Sequence, residues 1–92
     1  MYLVTFSKKA EADKKLLKQA NLEKKAKSML NILVEDPFQS PPPYEKLIGN
    51  LSGYYSRRIN IQHRLVYSVE PADQDSQFDG IVFVRRMWSH YE

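Results

Sequence analysis

The sequence contains no cysteine, which excludes a disulfide scaffold, a cysteine-based zinc site and a thiol nucleophile. Histidine is almost as scarce. His63 and His90 are the only two, too few to suggest a protein metal cage, and no metal or other cofactor is expected. No apolar run approaches the ~20 residues of a membrane span, so no membrane association is predicted. The opening Met1-Tyr2-Leu3-Val4-Thr5-Phe6 has neither the basic start nor the cleavage site of a signal peptide. It reads as a strand, and the cytoplasm is the expected location. At 92 residues the chain is too short for a two-domain dinucleotide enzyme, a barrel enzyme or a channel. It is read as one domain over residues 1–92.

What is present is an ordinary globular balance, 42% hydrophobic and 27% charged, which argues against disorder. The net charge of +3 is compatible with a polyanionic partner. Its distribution is uneven. Residues 1–30 hold eight lysines against three acids, and residues 45–69 carry Glu45, Lys46, Arg57, Arg58 and Arg64. Residues 70–79 hold four acids and no base. The last group reads as an acidic loop.

Ser7 is placed to cap a helix from Lys8, with Ala12, Leu16 and Ala20 predicted as its apolar face. Asn21 is read as the cap of a second helix, whose apolar stripe is Leu22, Ala26, Met29, Leu30 and Leu33. Asp36-Pro37 ends that helix, because a residue before proline avoids the α region. So short a link predicts a helical hairpin. Ser40-Pro41-Pro42-Pro43 is read as an extended connector. Residues 53–60 and 63–69 have strand periodicity and a turn near Ile61-Gln62, and residues 80–88 form a last strand, with Ile81 to Val84 as its apolar run. The predicted class is α+β, in the order β-α-α-β-β-β, with the two-helix hairpin on one face of a mainly antiparallel sheet.

Alternation assigns faces. Tyr54, Ser56 and Arg58 share one, and Tyr55, Arg57 and Ile59 the other. Leu65, Tyr67 and Val69 form a core face, so Arg64 should project away from the helices beside Arg58. A planar guanidinium there can grip two phosphate oxygens at once, although solvated arginines are the commoner occupants of a sheet face. Glu45 is an ordinary loop carboxylate unless other groups join it. The segment Trp88-Ser89-His90-Tyr91-Glu92 could supply them, if Trp88 anchors it to the body. His90 is the natural proton donor or acceptor near neutrality. His63 is taken as structural. Tyr54 and Tyr91 could stack on a base, and the helical lysines are either a solvated face or a dock for structured RNA or an acidic protein.

The string Asn50-Leu51-Ser52-Gly53-Tyr54-Tyr55-Ser56-Arg57-Arg58-Ile59, then His63-Arg64-Leu65-Val66-Tyr67, then the closing His90-Tyr91 closely resembles the YoeB/Txe toxins, RelE-like members of type II toxin–antitoxin systems. The resemblance implies a RelE-like fold and a ribosome-dependent, metal-independent endoribonuclease that cuts mRNA through a 2′,3′-cyclic phosphate and so inhibits translation. It implies that Glu45 is the general base, Arg64 the phosphate stabiliser, His90 the general acid and Tyr91 a residue that stacks on or orients the substrate. Arg58 is implied as a phosphate contact, with Lys46 and Tyr54 as further RNA-binding residues. The implied partners are mRNA, the ribosome and a YefM/Phd-like antitoxin, and many such toxins form homodimers. The sequence departs from the family in its loop, Pro43-Tyr44-Glu45-Lys46-Leu47-Ile48, and in Glu92 after the tyrosine. Two other classes remain open on the same scaffold: a non-catalytic ParE-like toxin and a plain ribosome-binding module.

Overall fold

The computed structural model describes residues 1–88; His90 and Tyr91 lie outside the described residues. Strand β1 (Tyr2–Phe6) leads into α1 (Lys8–Gln19) and α2 (Glu23–Glu35), followed by β2 (Tyr44–Lys46), β3 (Tyr55–Arg58), β4 (Arg64–Pro71) and β5 (Gly80–Arg86). One five-stranded sheet runs in the order β1-β5-β4-β3-β2. Only β1 is parallel to its neighbour, β5; the remaining pairs are antiparallel. The helices cover one face, and the core between the layers includes Leu17, Leu33, Leu65, Tyr67, Val82, Val84 and Met87. The α+β expectation and the helical hairpin therefore hold.

Ser7 caps α1 as predicted, its Oγ accepting from Ala10 N at 3.0 Å. The predicted apolar face of α1 is wrong. Ala12 and Ala20 are exposed, and Leu16 is 37% exposed, whereas Ala10, Asp13 and Leu17 are buried. The reason is Asp13. Its Oδ2 accepts from Arg86 Nε at 2.9 Å and from the Met87 backbone N–H at 2.9 Å. Those bonds fix the rotation of α1 against the end of β5, and a stripe carrying a carboxylate is invisible to a search for apolar spacing. Replacing Asp13 with alanine should cost about 2–3 kcal/mol, because it strips partners from a buried N–H and a mostly buried cation. Urea denaturation with an unchanged slope is the measurement.

Asn21 does not cap α2. It has φ 61° and closes α1 instead, where Leu22 N–H bonds to Leu17 O at 2.8 Å and Asn21 N–H to Lys18 O at 3.1 Å. This pair of bonds is the Schellman ending, which needs a residue in the left-handed region, and asparagine tolerates it. Leu22 stands at the cap position of α2 with no side-chain cap bond.

Two further differences shape the site. The segment 40–43 is not extended; it bends at Pro41 and Pro42, and the Ser40-Pro41 and Pro41-Pro42 peptide bonds are cis. It then enters β2, a strand too short for a period of two to show in the sequence. The predicted acidic loop also begins late, since β4 runs on through Pro71, opposite Gly80. A Cβ at Gly80 would meet Glu70 O and the Tyr2 ring at 2.8 Å, so this close approach demands glycine.

The bend is held by Arg57. Its side chain is fully buried, with Nη1 donating to Pro42 O at 2.7 Å and Nη2 to Pro37 O at 2.9 Å and Gln39 O at 2.7 Å. Nε donates to Tyr67 Oη at 3.2 Å, and Tyr67 Oη donates to Pro37 O at 2.7 Å. Burial pushes the Tyr67 phenol above its usual value, while the neighbouring Arg57 charge pulls the other way.

Candidate functional site

The face of the sheet opposite the helices carries three of the sequence-predicted residues in one place. β2 pairs with β3 so that Glu45 lies across from Ser56. β3 pairs with β4 so that Arg58 lies across from Arg64, and Ser56 from Val66. Alternation along each strand then sends Glu45, Ser56, Arg58 and Arg64 to the same side. The hairpin that sets this register is closed by Asn60, whose Oδ1 accepts from Gln62 N at 2.9 Å and His63 N at 2.7 Å. An asparagine bonding the backbone two residues ahead is a turn-former by mechanism.

Arg64 is clamped. Its Nε donates to Ser56 Oγ at 2.6 Å, and its Nη2 stands 3.3 Å from Glu45 Oε1. The Arg64 side chain is only 11% exposed, while that of Glu45 is 62% exposed. Fixing Nε and one terminal nitrogen fixes the plane of the guanidinium. Pro43, Glu45, Arg58 and Arg64 line a cleft of about 280 Å³. Two cations against one carboxylate leave it positive, the sign a phosphate group needs. An exposed carboxylate beside a fixed guanidinium can move a proton next to an anion that the cations hold.

The other predicted residues divide. Lys46 pairs across from Tyr55 and does not line the cleft; alternation turns it toward the helical side. Tyr54 is half-buried, outside the cleft lining, with the Arg85 guanidinium 5.4 Å from its ring centre. His63 is buried, and Trp88 stacks on it with ring centres 3.8 Å apart. The structural reading of His63 and the anchoring reading of Trp88 thus agree with the structure. The last described residue therefore packs against the immediate neighbour of Arg64.

Sequence reasoning missed Ser56 as the orienting partner of Arg64, and Arg57 as the clasp on the segment leading to Glu45. Alternation was a usable signal for both, because it put Ser56 on the Arg58 face and Arg57 inside. Among the described residues no group of three or more histidine, aspartate or glutamate side chains gathers as a metal site. Nor is any helix there long and apolar enough to cross a membrane.

Residues 6–91 match the model of a family described as the YoeB-like toxin of bacterial type II toxin-antitoxin systems. A Toxin YoeB from Synechocystis is 52% identical over 63 residues, 68% of this chain and 64% of that protein. The chain thus matches just under two thirds of the length of that relative. A Toxin YoeB from Streptomyces coelicolor is 39% identical over 82 residues, 89% of this chain and 81% of that protein. Among solved structures, the heterotetrameric YoeB-YefM toxin-antitoxin complex from Staphylococcus aureus contains a chain 34% identical to this one, with a TM-score of 0.74 and 99% of each chain covered.

Proposed function

The chain belongs to the YoeB-like family of type II toxin–antitoxin toxins, and from that premise we propose that it is an endoribonuclease that cuts mRNA on the ribosome and thereby inhibits translation. The observation that carries the reading is the grouping of Glu45, Arg58 and Arg64 in one cleft, with Arg64 held by Ser56 and Glu45.

In this mechanism the Glu45 carboxylate takes the proton of a ribose 2′-hydroxyl. The freed oxygen attacks the adjacent phosphorus, and the bond from phosphorus to the 5′-oxygen of the next nucleotide breaks. The products are a 2′,3′-cyclic phosphate and a 5′-hydroxyl. Negative charge builds on the five-coordinate phosphorus in between, and Arg64 opposes it at short range from a rigid position. Preorganised charge aimed at a developing anion is the most effective electrostatic contribution a site can make. Arg58 draws the phosphate into the cleft. His90 supplies the proton for the leaving 5′-oxygen, and Tyr91 orients the substrate. His90 is two residues along the chain from Trp88, which stacks on the residue next to Arg64. A YefM-like antitoxin is the proposed protein partner, as in the Staphylococcus aureus complex.

The test is expression with and without a YefM-type antitoxin, followed by primer extension on cellular mRNA. Growth arrest with cuts at in-frame codon positions, relieved by the antitoxin, is expected. Arrest without cuts would move the protein to the ParE-like class of non-cleaving toxins. Ribosome affinity should also fall steeply as salt rises, since contacts to phosphates release counterions. A flat response would leave the lysine-rich helices as a solvated face only.

A further inference from the structure

A second cationic cleft, of about 380 Å³, lies where α1 begins beside the end of β5, lined by Ser7, Lys8, Lys9, Phe83, Arg85 and Arg86. The nuclease reading does not use it. We propose that this cleft binds single-stranded RNA, with Lys8, Lys9 and Arg85 on backbone phosphates and Phe83 as a stacking surface, so that the strand crosses the sheet from there to Glu45, Arg58 and Arg64. This rests on the nuclease reading only for the direction of the strand; the binding stands by itself.

Four observations carry the inference. First, the cleft is built rather than incidental. Ser7 ties the start of α1 to β5 by two bonds, its N–H donating to Val84 O at 3.0 Å and its Oγ to Arg85 O at 2.7 Å, while the same Oγ caps α1 by accepting from Ala10 N. Lys8 and Lys9 are thereby held beside Arg85. Second, the cleft opens on the same face as the first. Val82 and Val84 are buried in the core, so alternation sends Phe83 and Arg85 to the helix-free side. Arg85 also stands at the point where the β4–β5 ladder shifts register, between Val84 opposite Tyr67 and Arg86 opposite Val66. Such irregularities re-aim side chains.

Third, the two clefts are linked by one row of the strand ladder. Glu45, Ser56 and Val66 lie across from one another on β2, β3 and β4, and the ladder reaches β5 at the Arg85–Arg86 end. Three inter-strand steps amount to about 14 Å, the reach of a few nucleotides. Tyr54, with Arg85 over its ring, adds an aromatic surface beside the second cleft, and bases stack on aromatic faces without regard to sequence. Fourth, charge gives the path a direction. Glu70, Asp73, Asp75 and Asp79 cluster around the opposite ends of β4 and β5, where phosphates are repelled.

The test is fluorescence anisotropy with a labelled, mixed-sequence single-stranded RNA, using His90→Gln as the parent so that the RNA survives. Lys8→Gln/Lys9→Gln should bind more weakly and lower the slope of log affinity against log salt by about 1.4, at roughly 0.7 per phosphate contact on single strands. Phe83→Leu keeps apolar volume but loses the ring, and should weaken binding roughly fivefold or more. Lys24→Gln/Lys25→Gln, the same charge change on α2, should leave the slope near that of the parent. The proposal is overturned if the parent binds no RNA, if the Lys8/Lys9 variant matches the parent, or if the α2 variant loses as much. A Lys8/Lys9 variant impaired only toward the antitoxin overturns it in favour of a protein interface. RNA bound through this cleft by a protein that cuts no mRNA would uphold the proposal and sink the nuclease reading. Cutting that ignores Lys8, Lys9 and Phe83 in both binding and rate would do the reverse.

Discussion

Arg64→Ala is expected to slow mRNA cleavage by about 10²–10³, the usual loss when one preorganised stabiliser of transition-state charge is removed. The size follows from how the residue is held. Its plane is set by Ser56 at 2.6 Å and Glu45 at 3.3 Å, and most of its side chain is shielded from water, so its charge acts through a poorly screening medium. Arg64→Lys should restore little, since an ammonium on a flexible stem cannot copy a planar fork held at two nitrogens. His90→Gln is the companion measurement. It should remove cleavage, by about 10²–10⁴ for loss of a general acid, while RNA binding stays nearly intact. A fall of less than about threefold for Arg64→Ala would take Arg64 out of the mechanism, because a bystander arginine gives changes of that size without touching the chemistry.

Arg57→Met should destabilise the fold by about 2–4 kcal/mol, a large fraction of what a small domain possesses. The neighbouring arginines have opposite fates. Arg58 faces the cleft, whereas Arg57 is buried among the carbonyls of Pro37, Gln39 and Pro42 and the hydroxyl of Tyr67. Methionine fills similar space but donates nothing, and each buried acceptor left unmatched costs about 1–3 kcal/mol, less where water can reach it. Urea titration reads the loss. Cleavage should fall as well, because the released segment is the one that delivers Glu45. A loss under about 1 kcal/mol would mean the carbonyls find water freely and the clasp is decorative.

The same cluster gives a pH dependence. The Tyr67 phenol is raised by burial, so the folded state favours its protonated form. The stability this group contributes is fully present below the ordinary tyrosine value of about 10 and is lost as pH climbs through the raised folded value. Alkaline unfolding should therefore be less steep in Tyr67→Phe.

The outward placement of Arg58 and Arg64 was legible because alternation along β3 and β4 is a local property, and Leu65 and Tyr67 marked the buried side. Glu45 was not legible in that way. Its three-residue strand carries no periodicity, and only the resemblance singled it out. Asp13 hid for a different reason: an acid on a buried helical stripe makes sense only once Arg86 and the Met87 N–H, more than seventy residues away, are beside it. Asn21 was misassigned because one side chain suits both the start of a helix and the left-handed end of the preceding one.

By itself the sequence determined both helices and four of the five strands, their order, the inward and outward faces of the central hairpin, and the signature of the family. Tertiary structure alone decided that β1 enters the sheet parallel to β5, that β2 completes the far edge, which stripe of α1 is buried, and that Glu45 meets Arg64. The division has a physical cause. Periodicity and capping express interactions between residues a few positions apart. Strand order and side-chain clasps depend on contacts between distant parts of the chain, whose energies no local pattern encodes.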